Sequence, residues 1–483
     1  MGRGFLALLG ALIALAAPGV AEAGPGLLVG AVEDDLRASS LVEAESKMTL
    51  LRVAGFRAAR VTSFWTPGRA APSEEELRVL GNVAGAASMN GVRLFVTVMH
   101  PGSRTTPLTD EAQAEFTSFA AAIVRAVPGV RDVIVANEPN LNRFWLPQFG
   151  PEGENVAATA YLSLLARTYD ALKNVSPDVQ VHGVAVSPRG NDRPQGSRPT
   201  HSPTTFIRDL GIAYRASGRD RPLMDTFVIH PYGEHSSLPP TFAHPKNTSV
   251  GIADYDKLVA LLGEAFDGTA QRGSTLPIVY GEYGVESQIP PEKAGLYTGQ
   301  EPRTTKPVPE ETQATYYEQA LGLAFCQPNV VGVLIFHSID ERALPTWQSG
   351  VYYVDGTAKS SLPRVTEALD RTTGGSIARC PGLALSVRPT LLRFGTRSAA
   401  KRGAFKVRLR CSLDCAYRVR LENATTGRTM LARRGRLDVG EIVRVDLGSR
   451  RLRPGFYRFT LSLVHPVNPA PPTLRQGKPF RLP

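Results

Sequence analysis

A chain of 483 residues, 42% of them hydrophobic, has ample material for a large core and is not disordered as a whole. Its length allows two to four domains, or one large barrel with an appendage. The formal net charge of +11 hides a division: residues 381–483 hold 22 Lys and Arg against 5 Asp and Glu, whereas the rest hold 33 against 39. One uniform electrostatic task for the whole molecule is therefore excluded.

The chain opens MGRGFLALLGALIALAAPGVAEA, with a basic residue at Arg3, an apolar run from Phe5 to Ala17 and the small-residue site Ala21-Glu22-Ala23. This is the pattern of a cleavable export signal over residues 1–23, so a secreted or cell-wall-associated protein is expected. The apolar run is well short of the roughly 20 residues that a spanning helix needs. Four cysteines in an exported chain favour structural bridges. Cys411 and Cys415 are close enough to staple a turn, which leaves Cys326 and Cys380 as a second pair.

From Leu27 to about Ser338, short apolar runs alternate with longer amphipathic ones. The predicted strands are Leu27–Ala31, Ala58–Thr62, Arg93–Met99, Asp132–Ala136, Val179–Val186, Asp225–His230, Pro277–Tyr280 and Val331–Phe336. Helical stretches such as SEEELRVLGNVAGAASMNG and TDEAQAEFTSFAAAIVRAV lie between them, several behind a Ser, Thr or Asp fit to cap them. Eight strands, each followed by a helix, predict a (β/α)₈ barrel over residues 24–379. A doubly wound open sheet would alternate too, but the first strand leads into GAVEDD with no Gly-rich phosphate turn. The stretches after strands five and seven, SPRGNDRPQGSRPTHSP and ESQIPPEKAGLYTGQEPRTTKPVPEE, read as long loops on the catalytic face.

Near residue 380 the helical period stops. The following runs, among them AFKVRLRC, YRVRLEN, IVRVDL and FYRFTLSLV, alternate with period two between Gly, Asn and Pro, which predicts a small all-β, Ig-like sandwich over residues 380–483.

In such a barrel the strand ends share one cleft, so their polar residues are the candidates for chemistry: Arg60, His100, Asn137, Glu138, His182, His230, Tyr232, Glu282 and His337. Glu138 in IVANEPN and Glu282 in VYGEYG each follow an apolar strand, and strands four and seven open on the same mouth. Cleaving a glycosidic bond needs such a pair, one carboxyl to protonate the leaving oxygen and one ionised to attack the anomeric carbon or activate water. The histidines lack a His-x-His or His-Glu-x-x-His spacing, so neither metal nor cofactor is expected.

ANEPN followed by a strand-terminal Glu in GEYG resembles the clan of (β/α)₈ retaining glycoside hydrolases with acid/base and nucleophile on strands four and seven, most of all families 5 and 39. AGFRAARVTSFW, FVTVMHPGS, IHPYG and GVYYVDGTAKSSLP are similar to further segments of that clan, and the likeness covers roughly residues 27–370. The resemblance implies Glu138 as acid/base and Glu282 as nucleophile, with Asn137 on the sugar 2-hydroxyl. It also implies Tyr232 and Arg60 holding Glu282 ionised, and His100 and His230 as further substrate-side residues, while His337 is a substrate-side candidate by its place at the end of strand eight. The chain departs from the pattern at strand eight, where Phe336 and His337 stand in place of a Trp, which leaves Trp65, Trp145 and Trp347 as candidates either for a stacking surface or for loop anchors.

The substrate implied is a carbohydrate, and the retaining mechanism requires carboxyls about 5–5.5 Å apart. The basic sandwich is a candidate for gripping an anionic cell-envelope polymer, while no nucleic-acid motif is present. The rival reading is a non-catalytic surface protein that binds glycan through the barrel and docks to the envelope through residues 380–483.

Overall fold

Eight parallel strands form at the eight apolar runs: β1 (Leu28–Val32), β2 (Ala58–Phe64), β3 (Arg93–Met99), β4 (Asp132–Val135), β5 (Gln180–Val186), β6 (Thr226–Ile229), β7 (Ile278–Tyr283) and β8 (Val330–Phe336). They close into one barrel, with β1 paired to both β2 and β8. The computed structural model describes residues 26–373, 387–411, 415–437, 441–448, 452–466 and 472–483. The export signal, the domain boundary near 380 and the pairing of Cys326 with Cys380 lie outside the described residues.

Side-chain alternation divides the barrel into two cores. Val32, Phe95, Ile134, Val228, Val279 and Leu334 fill the interior together with the small Ala58 and Ala185. Residues of opposite parity, such as Val29, Val61, Val96 and Val133, pack outward against α1 (Leu41–Val53), α2 (Glu74–Asn90), α3 (Asp110–Ala126), α4 (Val156–Val175), α5 (Pro203–Ala216), α6 (Tyr255–Phe266), α7 (Glu310–Phe325) and α8 (Leu362–Thr373). The expected caps are in place: Ser40, Ser73, Thr109 and Ser202 each accept the backbone N–H of the third helical residue at 3.1–3.2 Å. Gly91 ends α2 at φ 62°, a left-handed turn that favours glycine.

His182 corrects one expectation. It is the third residue of β5, and its Nε2 meets Asp132 Oδ1 at 2.9 Å at the start of β4. Arg93, at the start of β3, grips the same Asp132 through two hydrogen bonds of 2.8 and 2.7 Å. The cluster closes the N-terminal end of the barrel, far from the mouth, because in a strand of seven residues the third lies before the midpoint.

At the mouth, a buried ion pair within the loop after β8 also reaches the loop after β7 through a hydrogen bond to Ser287. Lys359 Nζ donates to Asp340 Oδ1 at 2.7 Å, to Ser287 Oγ at 2.8 Å and to the Gln348 carbonyl at 3.1 Å, and neither ionic side chain is exposed.

After α9 (Thr396–Arg402), which follows β9 (Pro389–Phe394), come β10 (Lys406–Cys411), β11 (Cys415–Asn423), β12 (Thr429–Leu437), β13 (Val443–Asp446), β14 (Gly455–Val464), β15 (Thr473–Gln476) and β16 (Phe480–Leu482). They make two antiparallel sheets, ordered β13-β10-β9 and β12-β11-β14-β15, with β16 added to β14. Phe394 of one sheet stacks on Phe459 of the other at 5.5 Å, and Val407, Leu409, Val419, Leu421 and Leu461 are buried in the same core. The Cys411–Cys415 disulfide joins β10 to β11, as the spacing predicts. Among the described residues no helix is long and apolar enough to cross a membrane.

Removing one partner of a buried ion pair leaves the other charge uncompensated. Lys359→Ala is therefore expected to lower stability by about 3–5 kcal/mol in urea unfolding. A loss below about 1 kcal/mol would show that Lys359 is not an anchor of these loops.

Candidate active site

A cleft of about 680 Å³ opens at the C-terminal end of the strands, with Arg60, Asn137, Glu138, Tyr232, Glu282 and Trp347 among its walls. Each side chain is aimed by its local backbone. Glu282 is the fifth residue of β7, preceded by Gly281, where a Cβ would lie 2.4 Å from Val228 Cγ1. Only glycine lets β7 approach β6 this closely.

Glu138 sits where β4 turns sharply. Ala136 and Glu138 take φ of 63° and 40°, and in the adjoining β5 Val184 and Ala185 take 80° and 48°. A β-branched residue at positive φ is costly, so the surroundings must enforce it. They do so through hydrogen bonds: Glu138 N–H donates to the Ala185 carbonyl at 2.9 Å, and the Tyr161 hydroxyl of α4 accepts from Val184 N–H at 2.8 Å while donating to the Val135 carbonyl at 3.0 Å. Asn140, fully buried, accepts from Ser187 N–H at 2.9 Å and donates to the His201 carbonyl at 2.9 Å. In the NEPN run, then, the second Asn locks the turn that carries the Glu.

The two carboxyls converge. One oxygen of Glu138, one of Glu282 and one ring nitrogen of His230 all lie within 4.8 Å of one another. Arg60 Nη1 donates to Glu282 Oε1 at 2.7 Å and to the Gly281 carbonyl at 3.1 Å; its Nε donates to Thr97 Oγ1 at 2.6 Å and its Nη2 to Asn137 Oδ1 at 3.3 Å. The Tyr232 hydroxyl donates to Glu282 Oε2 at 3.0 Å. His230 Nδ1 stands 3.1 Å from Glu138 Oε1 and 3.5 Å from Glu282 Oε2, with the ring wholly buried.

Burial alone would push the Glu282 carboxyl up. The charges of His230 and Arg60, with the hydrogen bonds from Tyr232 and Arg60, outweigh it and bring Glu282 below the usual carboxylate range. The Tyr232 phenol moves the opposite way, well above its ordinary value, through burial first and then the charges of Glu282 and Glu138. The site thus holds Glu282 as a fixed carboxylate with the carboxyl of Glu138 beside it.

Not every candidate reaches the cleft. His100 is 2% exposed, packs edge-on against Trp145 at 5.6 Å and meets the Gly102 carbonyl through Nδ1 at 2.8 Å. It is not among the cleft-lining residues, and burial lowers its pKa, so it supports the β3 loop as a neutral ring. His337 does line the cleft, its Nδ1 2.8 Å from the Val32 carbonyl. Trp65 and Trp145 are fully buried, whereas Trp347 lines the cleft against Tyr232 (4.8 Å) and Phe336 (5.3 Å).

Three site residues escaped the sequence reading. Arg189, in the long loop after β5, donates to the carbonyls of Tyr232 and Gly233 at 3.1 and 2.8 Å from the cleft wall. Glu33, just past β1, accepts from Ser338 N–H (3.1 Å), Ser338 Oγ (2.7 Å) and Ile339 N–H (3.1 Å), and so holds the loop beyond His337. Glu286 lines the cleft with one buried carboxyl oxygen that has no hydrogen-bond partner among the described residues. The signal for Glu33 was its place one residue past a strand; Arg189 and Glu286 lie in loops without periodicity.

Glu138, His230 and Glu282 also form a donor set that could hold a metal ion. Both Glu282 oxygens are already engaged, by Arg60 and by Tyr232. The guanidinium therefore supplies the positive charge that a cation would bring.

No protein-family model matches the chain, and no curated protein matches it. Among solved structures it is similar to a calcium-binding mutant of Bacteroides uniformis beta-glucuronidase 2 (TM-score 0.45, 12% identity), covering 95% of this chain and 45% of that one. It is also similar to GH5_18 from Streptomyces cattleya in complex with GlcNAc (0.49, 16%; 71% and 80% covered) and to the endo-beta-1,4-mannanase from Thermotoga petrophila (0.44, 12%; 94% and 98%). This chain spans less than half the length of the first of these. At such scores the likeness carries no chemistry, and the assignment rests on the cleft itself.

Glu286 gives the cleft a pH signature. Burial, then the charges of Glu301 and Asp340, raise its carboxyl to about 8 against the pull of Lys359. The folded chain therefore binds a proton there that the unfolded chain releases near pH 4.5, and this contribution to stability falls as pH rises toward 8. Glu286→Gln is expected to change stability little at pH 5 and to raise it by on the order of a few kcal/mol at pH 9. Equal effects at both pH values in thermal unfolding would contradict this.

Proposed function

We propose that the chain is a secreted glycoside hydrolase that cleaves O-glycosidic bonds of an oligo- or polysaccharide with retention, Glu282 acting as nucleophile and Glu138 as acid/base. The observation that carries the reading is the approach of the two carboxyls to within 4.8 Å across the barrel mouth, with Glu282 alone clamped by Arg60 and Tyr232. So close an approach of one oxygen from each carboxyl favours retention, which uses carboxyls about 5–5.5 Å apart, over inversion, which places a water between carboxyls about 6.5–9.5 Å apart.

In the first step Glu282 attacks the anomeric carbon as Glu138 passes its proton to the departing glycosidic oxygen, giving a glycosyl ester on Glu282. In the second, Glu138 takes a proton from water, whose oxygen displaces Glu282 and regenerates both groups. Asn137, fixed by Arg60, faces the cleft as a hydrogen-bond partner for the sugar. Trp347 offers an aromatic face in place of the strand-eight Trp. Export is supported by the N-terminal signal pattern.

Glu282→Ala is expected to lose at least about 10³-fold in kcat on aryl β-glycosides, to regain turnover with azide and to release a glycosyl azide of inverted configuration. Glu138→Ala should lose about 10²–10⁴-fold on substrates with poor leaving groups and far less on activated aryl glycosides, which depart without a proton. EDTA should change neither activity. Equal inactivity of wild type and both variants across a polysaccharide panel would favour the glycan-binding alternative.

A further inference from the structure

The three-stranded sheet turns Phe394, Val407 and Val445 inward in one cross-strand row and Leu392, Leu409 and Val443 in another. The parity that buries them turns arginines outward. Arg408 of β10 stands directly opposite Arg393 of β9 on one side and Arg444 of β13 on the other, and all three are exposed. The second sheet repeats the arrangement, with Arg418 of β11 directly opposite an exposed Arg434 of β12.

Directly opposed side chains in an antiparallel pair are about 4.5–5.5 Å apart at Cβ, and like charges there destabilise the sheet. Acids are used where the fold has them: Lys406 pairs with Asp446 at 3.4 Å, Arg410 with Asp267 at 3.5 Å and Arg420 with Glu422 at 3.3 Å. Among the described residues none of the five opposed arginines has an acidic partner. A row of charges that costs stability and is left uncompensated is what a surface shows when its counter-charge arrives with a ligand.

We propose that the outward face of the β9-β10-β13 sheet binds a linear acidic polysaccharide, with Arg393, Arg408 and Arg444 as its carboxylate-gripping row. The row runs across the strands at a spacing of about 4.7–4.9 Å per strand, so it offers several positive groups in a line and suits a repeating polyanion better than a single ion. The basic residues of 381–483 are 19 Arg and 3 Lys, and the guanidinium fork matches a carboxylate with two parallel hydrogen bonds. On β10 every outward position, Lys406, Arg408 and Arg410, is charged. The row thus has no aromatic side chain to stack a nucleobase and no large apolar one to enter a lipid layer.

The binding is independent of the chemistry in the barrel, so it can be tested on the full chain whatever the barrel hydrolyses. The probe is polygalacturonate, with dextran, a DNA duplex and anionic phospholipid vesicles beside it. Wild type should bind polygalacturonate, more weakly as salt rises, and leave dextran unbound. The triple variant Arg393→Gln, Arg408→Gln, Arg444→Gln should bind at least about tenfold more weakly and yet melt a few degrees higher, because it also removes the opposed charges. A merely solvated face would show neither the loss nor its coupling to a gain in Tm. If the triple variant does not fold, Arg408→Gln at the centre of the row should still weaken binding severalfold. No binding by wild type, unchanged binding by the variants, or tighter binding to DNA or vesicles would overturn the proposal.

Discussion

The architecture of the mouth turns on one buried charge. Glu282 is 9% exposed, and an ionised carboxylate so far from water is strongly disfavoured unless paired and hydrogen-bonded. Arg60 resolves this from β2, across the barrel mouth. Its guanidinium reaches β3 through Thr97, the β4 turn through Asn137 and β7 through both Gly281 and Glu282. Because the same side chain fixes three strand ends, the position of Glu282 and that of Asn137 are not separable. Tyr232 completes the pairing by satisfying the second oxygen, and the raised pKa of its phenol keeps it a donor.

The companion carboxyl is held by strain. Glu138 stands on a backbone that passes through positive φ at Ala136 and again at its own position, beside a β5 segment strained at Val184. Tyr161 from α4 and Asn140 from the turn itself spend their polar atoms on this backbone. Hydrogen bonds from α4, from β5 and from within the turn thus fix the approach of Glu138 to Glu282.

Much of this was legible in the sequence, because it follows from period and place. Eight apolar runs marked eight strands, and a Glu just after the fourth and another at the end of the seventh had to open on one mouth. What was not legible has equally physical causes. His182 was misplaced because the predicted strand did not say which of its ends the ring faced, and Asp132 draws it to the bottom. His100 lies at a strand end as expected, but Trp145 from a distant loop covers it. Arg189, Glu286 and the Lys359–Asp340 pair act through loops whose paths carry no periodicity. The sandwich was readable as alternation, but which arginines oppose one another depends on register, which the sequence does not state.

The proposed function makes one chemical commitment above the others: an ester with the sugar forms on the buried, clamped Glu282. A panel of activated 2-deoxy-2-fluoro-β-glycosides, which slow breakdown of such an ester, followed by peptide mass spectrometry of the inactivated protein, tests it directly. A single glycosyl adduct on the peptide that carries Glu282 is the expected result. Inactivation with the sugar on another residue, or turnover of normal β-glycosides to an inverted product with no adduct, would contradict it.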